Sequence, residues 1–164
     1  MPNWHDILNE IGKTGSPHDV VRRNYLKQLY EYTGRNTIVY YSGWLQKNVQ
    51  RTEVNDSVKT GFMTVINGLD RTKGLDLILH TPGGGIAAAE SIVKYLRATF
   101  GSNIRAFIPQ IAMSAGTMLA LSCNEIVMGK QSSIGPIDPQ FGGVSCAGVI
   151  EEFQQAVDDI SKNQ

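Results

Sequence analysis

Leu75-Asp76-Leu77-Ile78-Leu79-His80-Thr81-Pro82-Gly83-Gly84-Gly85 is an apolar strand-like run that ends in a glycine turn, and Ile86 opens a helical run directly after it. Residues 86–100 put Ile86, Ala89, Val93 and Leu96 at helical spacing, which predicts a helix with those side chains facing in. The same order recurs about thirty residues on. Residues 104–108 read as a strand, Ala112-Met113-Ser114-Ala115-Gly116-Thr117 as a second turn, residues 114–121 as a helix and 125–128 as a short strand. Strands alternating with helices of these lengths predict an α/β fold with a mainly parallel sheet under covering helices.

Outward from this centre the periods stay interpretable. Residues 4–13 carry Trp4, Ile7, Leu8 and Ile11 at helical spacing. Ser16-Pro17-His18-Asp19 is a helix start, with Ser16 as cap and Pro17 at the first helical position. That helix runs to about Thr33, with Val21, Tyr25, Leu29 and Tyr32 on one side, and Gly34 ends it. His5 and His18 lie here without acid or thiol neighbours suited to catalysis, and read as exposed or capping residues. Thr37-Ile38-Val39-Tyr40-Tyr41 is a β-branched and aromatic strand. Residues 45–52 are polar and loop-like, and residues 54–69 read as a helix with Val58, Phe62, Val65, Ile66 and Leu69 as its stripe. Residues 149–160 repeat the helical pattern with Val149, Ile150, Phe153, Val157 and Ile160.

Composition bounds the function classes. A chain of 164 residues, 41% hydrophobic and 18% charged, suits one folded domain with a real core. Lysine plus arginine equals aspartate plus glutamate at 15 each, so charge offers no case for a nucleic-acid partner. No run approaches the ~20 apolar residues of a membrane span, and Met1-Pro2-Asn3-Trp4-His5-Asp6 lacks a signal-peptide pattern. Cys123 and Cys146, without a CxxC pair, make neither a zinc site nor a disulfide framework. The expectation is a reduced, cytoplasmic protein.

Gly83, Gly84 and Gly85 stand where a strand ends and a helix begins. Such a turn leaves backbone N–H groups free, and the helix dipole adds positive character. The plainer reading is a tight turn without a ligand; the spacing is not that of a dinucleotide loop. Ser114 has small neighbours in Ala115 and Gly116, which a nucleophile on a crowded turn needs, and the N–H of Ala115 would point toward an oxyanion. Its plainer reading is a helix cap.

Six segments in order make the chain similar to the ClpP-like, crotonase-fold serine peptidases, and nearest to the serine dehydrogenase proteinase family related to signal peptide peptidase A. They are Thr33-Gly34-Arg35-Asn36, Tyr40-Tyr41-Ser42-Gly43-Trp44-Leu45-Gln46, His80-Thr81-Pro82-Gly83-Gly84, Met113-Ser114-Ala115-Gly116-Thr117-Met118, Met128-Gly129-Lys130 and Gly135-Pro136-Ile137-Asp138-Pro139-Gln140. The resemblance implies a spiral of ββα units over residues 37–164, without the C-terminal part of longer members, behind a helical segment at 1–36. It implies Ser114 as nucleophile, Gly83 and Gly84 in the oxyanion turn, and Ala115 as the second donor. It also implies homo-oligomers acting on peptide or protein substrates, without metal or organic cofactor.

The chain departs from this pattern at the base. The Clp subunit carries a histidine some 25 residues after its serine; that register here holds Asp138, 24 residues after Ser114. Asp138 also reads as a turn residue before Pro139. The signal peptide peptidase A relatives use a lysine some 40 to 50 residues on. Lys162 falls there in a polar end, and Lys130 is nearer on a turn after a strand, where its plainer reading is a solvated side chain. His80 is a further possibility, against strand-end packing. A missing base also fits an inactive peptide-binding or scaffold module. An acyl-CoA enzyme of the same fold is the third reading, weakened by the absence of a basic cluster. Residues 45–52 and 141–147 would form the substrate-selecting loops, the segment Phe141-Gly142-Gly143-Val144 as a flexible flank.

Overall fold

The computed structural model of the chain describes residues 4–13, 17–45 and 52–162. Helices α1 (Trp4–Lys13) and α2 (Pro17–Thr33) lead into strand β1 (Asn36–Tyr41). Helix α3 (Asp56–Ile66), strand β2 (Leu75–His80), helix α4 (Ile86–Phe100) and strand β3 (Ile104–Ile108) follow. Two-residue strand β4 (Ile111–Ala112), helix α5 (Ala115–Leu121), strand β5 (Glu125–Met128) and strand β6 (Ser133–Ile134) complete the sheet region. Strands β7 (Gln140–Phe141) and β8 (Val144–Ser145) and helix α6 (Cys146–Lys162) end it.

The main sheet has the order β1-β2-β3-β5, parallel throughout. Its central strand β2 buries Leu75, Leu77 and Leu79 completely, as a parallel strand covered on both faces must. Phe62 and Ile66 of α3, Ile92, Leu96 and Phe100 of α4, and Leu119 and Ala120 of α5 pack into the same core. The alternation read from the sequence is therefore the architecture, a mixed α/β fold with a parallel sheet and helices.

One polar cluster lies within this apolar interior. Asp76 is fully buried, and the register sets it beside Thr37 on β1 and Arg105 on β3. Arg105 donates to both carboxylate oxygens, at 2.9 and 2.7 Å, and Arg35 donates at 2.6 Å. Arg35 also donates to the carbonyls of Leu75 (3.2 Å) and Asn103 (2.9 Å). Burial opposes ionisation of Asp76, but these two arginines outweigh it and hold the carboxyl below its ordinary pKa. The bracket fastens the N-terminal ends of three neighbouring strands.

The structure departs from the sequence reading in five places. The third helix starts at Asp56, not at 54, because Asn55 caps it by accepting from the Ser57 N–H at 3.0 Å. Val54 is buried against the glycine turn, while Val65 is half exposed and Leu69 lies beyond the helix end. Tyr32 projects into solvent, unlike Val21 on the same helix. Ile86 is exposed at the start of α4 rather than packed inward. Residues 141–144 form the β7–β8 hairpin with Gly142 and Gly143 as its turn. Helix α6 spans more than residues 149–160, and its apolar stripe is exposed, Phe153 by 71%. His5 is exposed; Ser16 and residues 46–51 lie outside the described residues, as does the side chain of His18.

The Asp76 bracket gives a stability prediction. Asp76→Asn leaves two arginines facing a neutral amide and is expected to cost about 3 kcal/mol in urea unfolding. Since the folded carboxyl titrates below its unfolded value, its stabilisation is present above the unfolded pKa and is lost as pH falls through the folded one. The difference between wild type and variant should therefore shrink below about pH 4; a constant difference would mean the arginines do not act on an ionised Asp76.

Candidate active site

Two turns from successive strand–helix units meet at the C-terminal ends of β2 and β3. Thr81 and Ala112 form a parallel bridge in which the Thr81 N–H donates to the Ile111 carbonyl (3.2 Å) and the Met113 N–H donates to the Thr81 carbonyl (3.0 Å). The Thr81 hydroxyl accepts from the Gly83 N–H at 3.2 Å. On the other side Val54 bridges Gly84: its N–H donates to the Gly83 carbonyl (2.7 Å), and its carbonyl accepts from Gly85 (2.8 Å). The glycine turn is thus clamped from both flanks, and its middle N–H is left over. Among the described residues neither the Gly84 N–H nor the Ala115 N–H donates to a protein acceptor.

The packing of the turns demands glycine. A Cβ on Gly83, at φ +104°, would sit 2.6 Å from the Met113 carbonyl and 2.7 Å from the Ser114 Cβ. A Cβ on Gly116 would overlap the Thr81 methyl, and one on Gly84 would overlap the Val54 backbone. The space a Cβ would need at these glycines is taken by the Val54 backbone, the Met113 carbonyl, the Ser114 Cβ and the Thr81 methyl.

Ser114 stands at the N-cap of α5, but its side chain makes no capping hydrogen bond. Its backbone adopts φ 48°, ψ −116°, and among the described residues it is the one non-glycine with positive φ. That combination lies outside the left-handed helical well that a serine tolerates and costs on the order of 1–3 kcal/mol. A serine held on a strained strand-to-helix turn, followed by a free N–H, is the arrangement that presents a nucleophile beside its oxyanion donor.

Ser114 opens into a cleft of about 590 Å³. Pro82, Gly84, Gly85 and Ile86 form one wall, Met113 and Ser114 the floor, and Pro136, Asp138 and Gln140 the other wall. The cleft brings together Ser114, Gly84 and Asp138 of the expected set, with the buried Ala115 directly behind Ser114. Gly83 lies beneath Ser114. Lys130 is exposed on the turn after β5 and does not line the cleft, and Lys162 ends α6. His80 faces away from Thr81 across β2; its ring stacks on Tyr41 with centroids 4.9 Å apart, and Nε2 lies 3.1 Å from the Gln110 amide oxygen. Burial pushes the Cys123 thiol up to about 11 despite the opposing effects of Ser122 and Arg97, which leaves it a packing residue. Among the described residues no three histidine, cysteine or acidic side chains are grouped to hold a metal ion, and no helix is long and apolar enough to cross a membrane.

Two positioning residues were not singled out in the sequence reading. Val54 was assigned to a helix, although its place between the polar Glu53 and the cap Asn55 is a signal for a short extended piece. Thr81 was one letter of a motif; a β-branched residue directly after a buried strand was the available sign that the ladder continues.

The α/β fold agrees with the comparisons. The model of the family described as ClpP-like SDH-type serine proteinase matches residues 49–164, so the chain belongs to that family. Two uncharacterized proteins of Methanocaldococcus jannaschii are similar to it. MJ0137 is 35% identical over 103 residues, 63% of this chain and 36% of the relative. MJ1495 is 38% identical over 87 residues, 53% of this chain and 30% of the relative. The chain spans about a third of the length of these curated relatives.

Gly83→Ala tests the apposition of the turns. The methyl would strike Met113 and Ser114 and strain a positive φ, so the variant is expected to lose about 2 kcal/mol or more by denaturant unfolding. Unchanged stability would show that the turns are farther apart than described.

Proposed function

We propose that the chain is a serine peptidase domain in which Ser114 attacks the carbonyl of a peptide bond. The observation that carries this reading is Ser114 held at φ 48° without a capping bond, beside the unpaired N–H groups of Gly84 and Ala115. The Ser114 Oγ forms a bond to the carbonyl carbon as its proton passes to a base. The negative oxygen of the tetrahedral intermediate accepts from Gly84 and Ala115, each donor of this kind contributing roughly 10²–10³ in rate. Collapse expels the amine, which takes the proton, and water then releases the acyl group from Ser114.

Asp138 is assigned the base or water-orienting role because it shares the cleft with Ser114; Lys130 is the residue to test against it. That no histidine or lysine lines the cleft among the described residues supports the alternative, a module of the same fold that holds an extended peptide without cleaving it.

Intact-mass analysis with a fluorophosphonate probe separates the two. One adduct on the wild type that disappears in Ser114→Ala is expected, with slower labelling in Asp138→Asn than in Lys130→Ala. The reverse order would make Lys130 the acceptor. A folded chain that takes no adduct but binds extended peptides would replace the peptidase with the binding module.

A further inference from the structure

We infer that Thr117 is a positioning residue whose hydroxyl locks the Asp138 wall of the cleft to the helix that begins at Ser114. Thr117 lies on α5 three residues after Ser114, and its side chain is buried. Its Oγ1 lies 2.7 Å from the Ala112 carbonyl and 2.9 Å from the Gly135 carbonyl, and it accepts from the Gly135 N–H at 3.0 Å. One hydroxyl thus touches the strand end before Ser114, the helix after it and the segment opposite. A hydroxyl carries a single proton, so the two carbonyls share one donor while the Gly135 N–H has its own acceptor.

The position of this contact in the chain gives it its effect. Residues 133 and 134 are held by pairing with β4. Beyond them Gly135 is the last residue with backbone bonds before the wall. Pro136 and Pro139 have no N–H, and among the described residues the next backbone bond runs from the Cys146 N–H to the Pro139 carbonyl at 2.9 Å. Gly135 also lies on Met113, whose methyl fills the place a Cβ would take. The distance between Ser114 and Asp138 is therefore set through Thr117 and Gly135. Valine has nearly the same shape but would leave the part-buried Gly135 N–H and two carbonyls without this partner.

The effect on catalysis rests on the peptidase reading; the lock itself does not. The test is hydrogen exchange of the Gly135 amide in the full chain, together with saturation kinetics of fluorophosphonate labelling, for wild type, Thr117→Val and Thr117→Ser. In the wild type the Gly135 amide should be protected. In Thr117→Val it should exchange at least about tenfold faster, and the limiting labelling rate should fall roughly tenfold while the half-saturating probe concentration changes less. Thr117→Ser, which keeps the hydroxyl, should restore both. An unprotected Gly135 amide in the wild type overturns the inference and needs no variant to fold. So does a folded Thr117→Val that exchanges and labels as wild type, or a Thr117→Ser as loose as the valine variant. Faster exchange in Thr117→Val on a chain whose Ser114 never labels would retain the lock and retire the peptidase reading.

Discussion

The site depends on the bonding of Thr81. Its N–H and carbonyl extend the β2 ladder onto β4, its hydroxyl holds the Gly83 N–H, and its methyl occupies the space left by the missing Cβ of Gly116. It is fully buried. Each hydrogen bond contributes only about 1 kcal/mol net. Their joint consequence is geometric: the turn after β2 and the turn after β3 cannot move independently. The two-donor oxyanion site proposed above would require that coupling, because in such a site a shift of about 1 Å in either turn can cost a hundredfold in rate.

The two ends of the sheet divide the work. At the N-terminal ends, Arg35 and Arg105 close around Asp76 and tie β1, β2 and β3 together. At the C-terminal ends the strands release their chains into Gly83–Gly84 and Met113–Ser114, where backbone groups face a cleft. Open parallel sheets bind ligands at this end because every helix that follows a strand starts there, with its unpaired N–H groups pointing outward. The ionic cluster and the candidate site thus lie at opposite ends of β2 and β3, so bending or shear of the sheet would disturb both.

The long elements were legible because their periods are set by local sequence. Residues 86–100 and 104–108 form the expected helix and strand, since each buries a regular apolar pattern, and 125–128 form the expected short strand by pairing with β3. The two-residue strands β4 and β6 carry no period of their own; they exist because they pair with each other and Thr81 bridges β4. Val54 reads as helical by spacing but is held extended by the glycine turn, a long-range partner no local window contains. Helix α6 shows the converse: its apolar repeat is real and makes a helix, but periodicity does not specify what covers it, and the stripe is exposed. In the site, residue types pointed to Ser114, Gly84 and Ala115, while placing Asp138 in the cleft and Lys130 outside it required the path of residues 129–140.

Serine at a helix start is ordinarily a cap, so the conformation of Ser114 is what separates the two readings. A capping serine lies in the extended region and accepts from the second or third helical N–H, a gain of about 1 kcal/mol. Asn55 does this at the start of α3, with φ −146°. Ser114 forgoes that gain and also occupies a region that glycine would enter without strain. A helix start under selection for stability alone would carry serine in the extended form or glycine in this one. The combination of a strained backbone and a hydroxyl with no capping partner is what the cap reading leaves unexplained and what the proposed nucleophile role would account for. Gly83, pressed against its Cβ, removes the space through which the strain would relax.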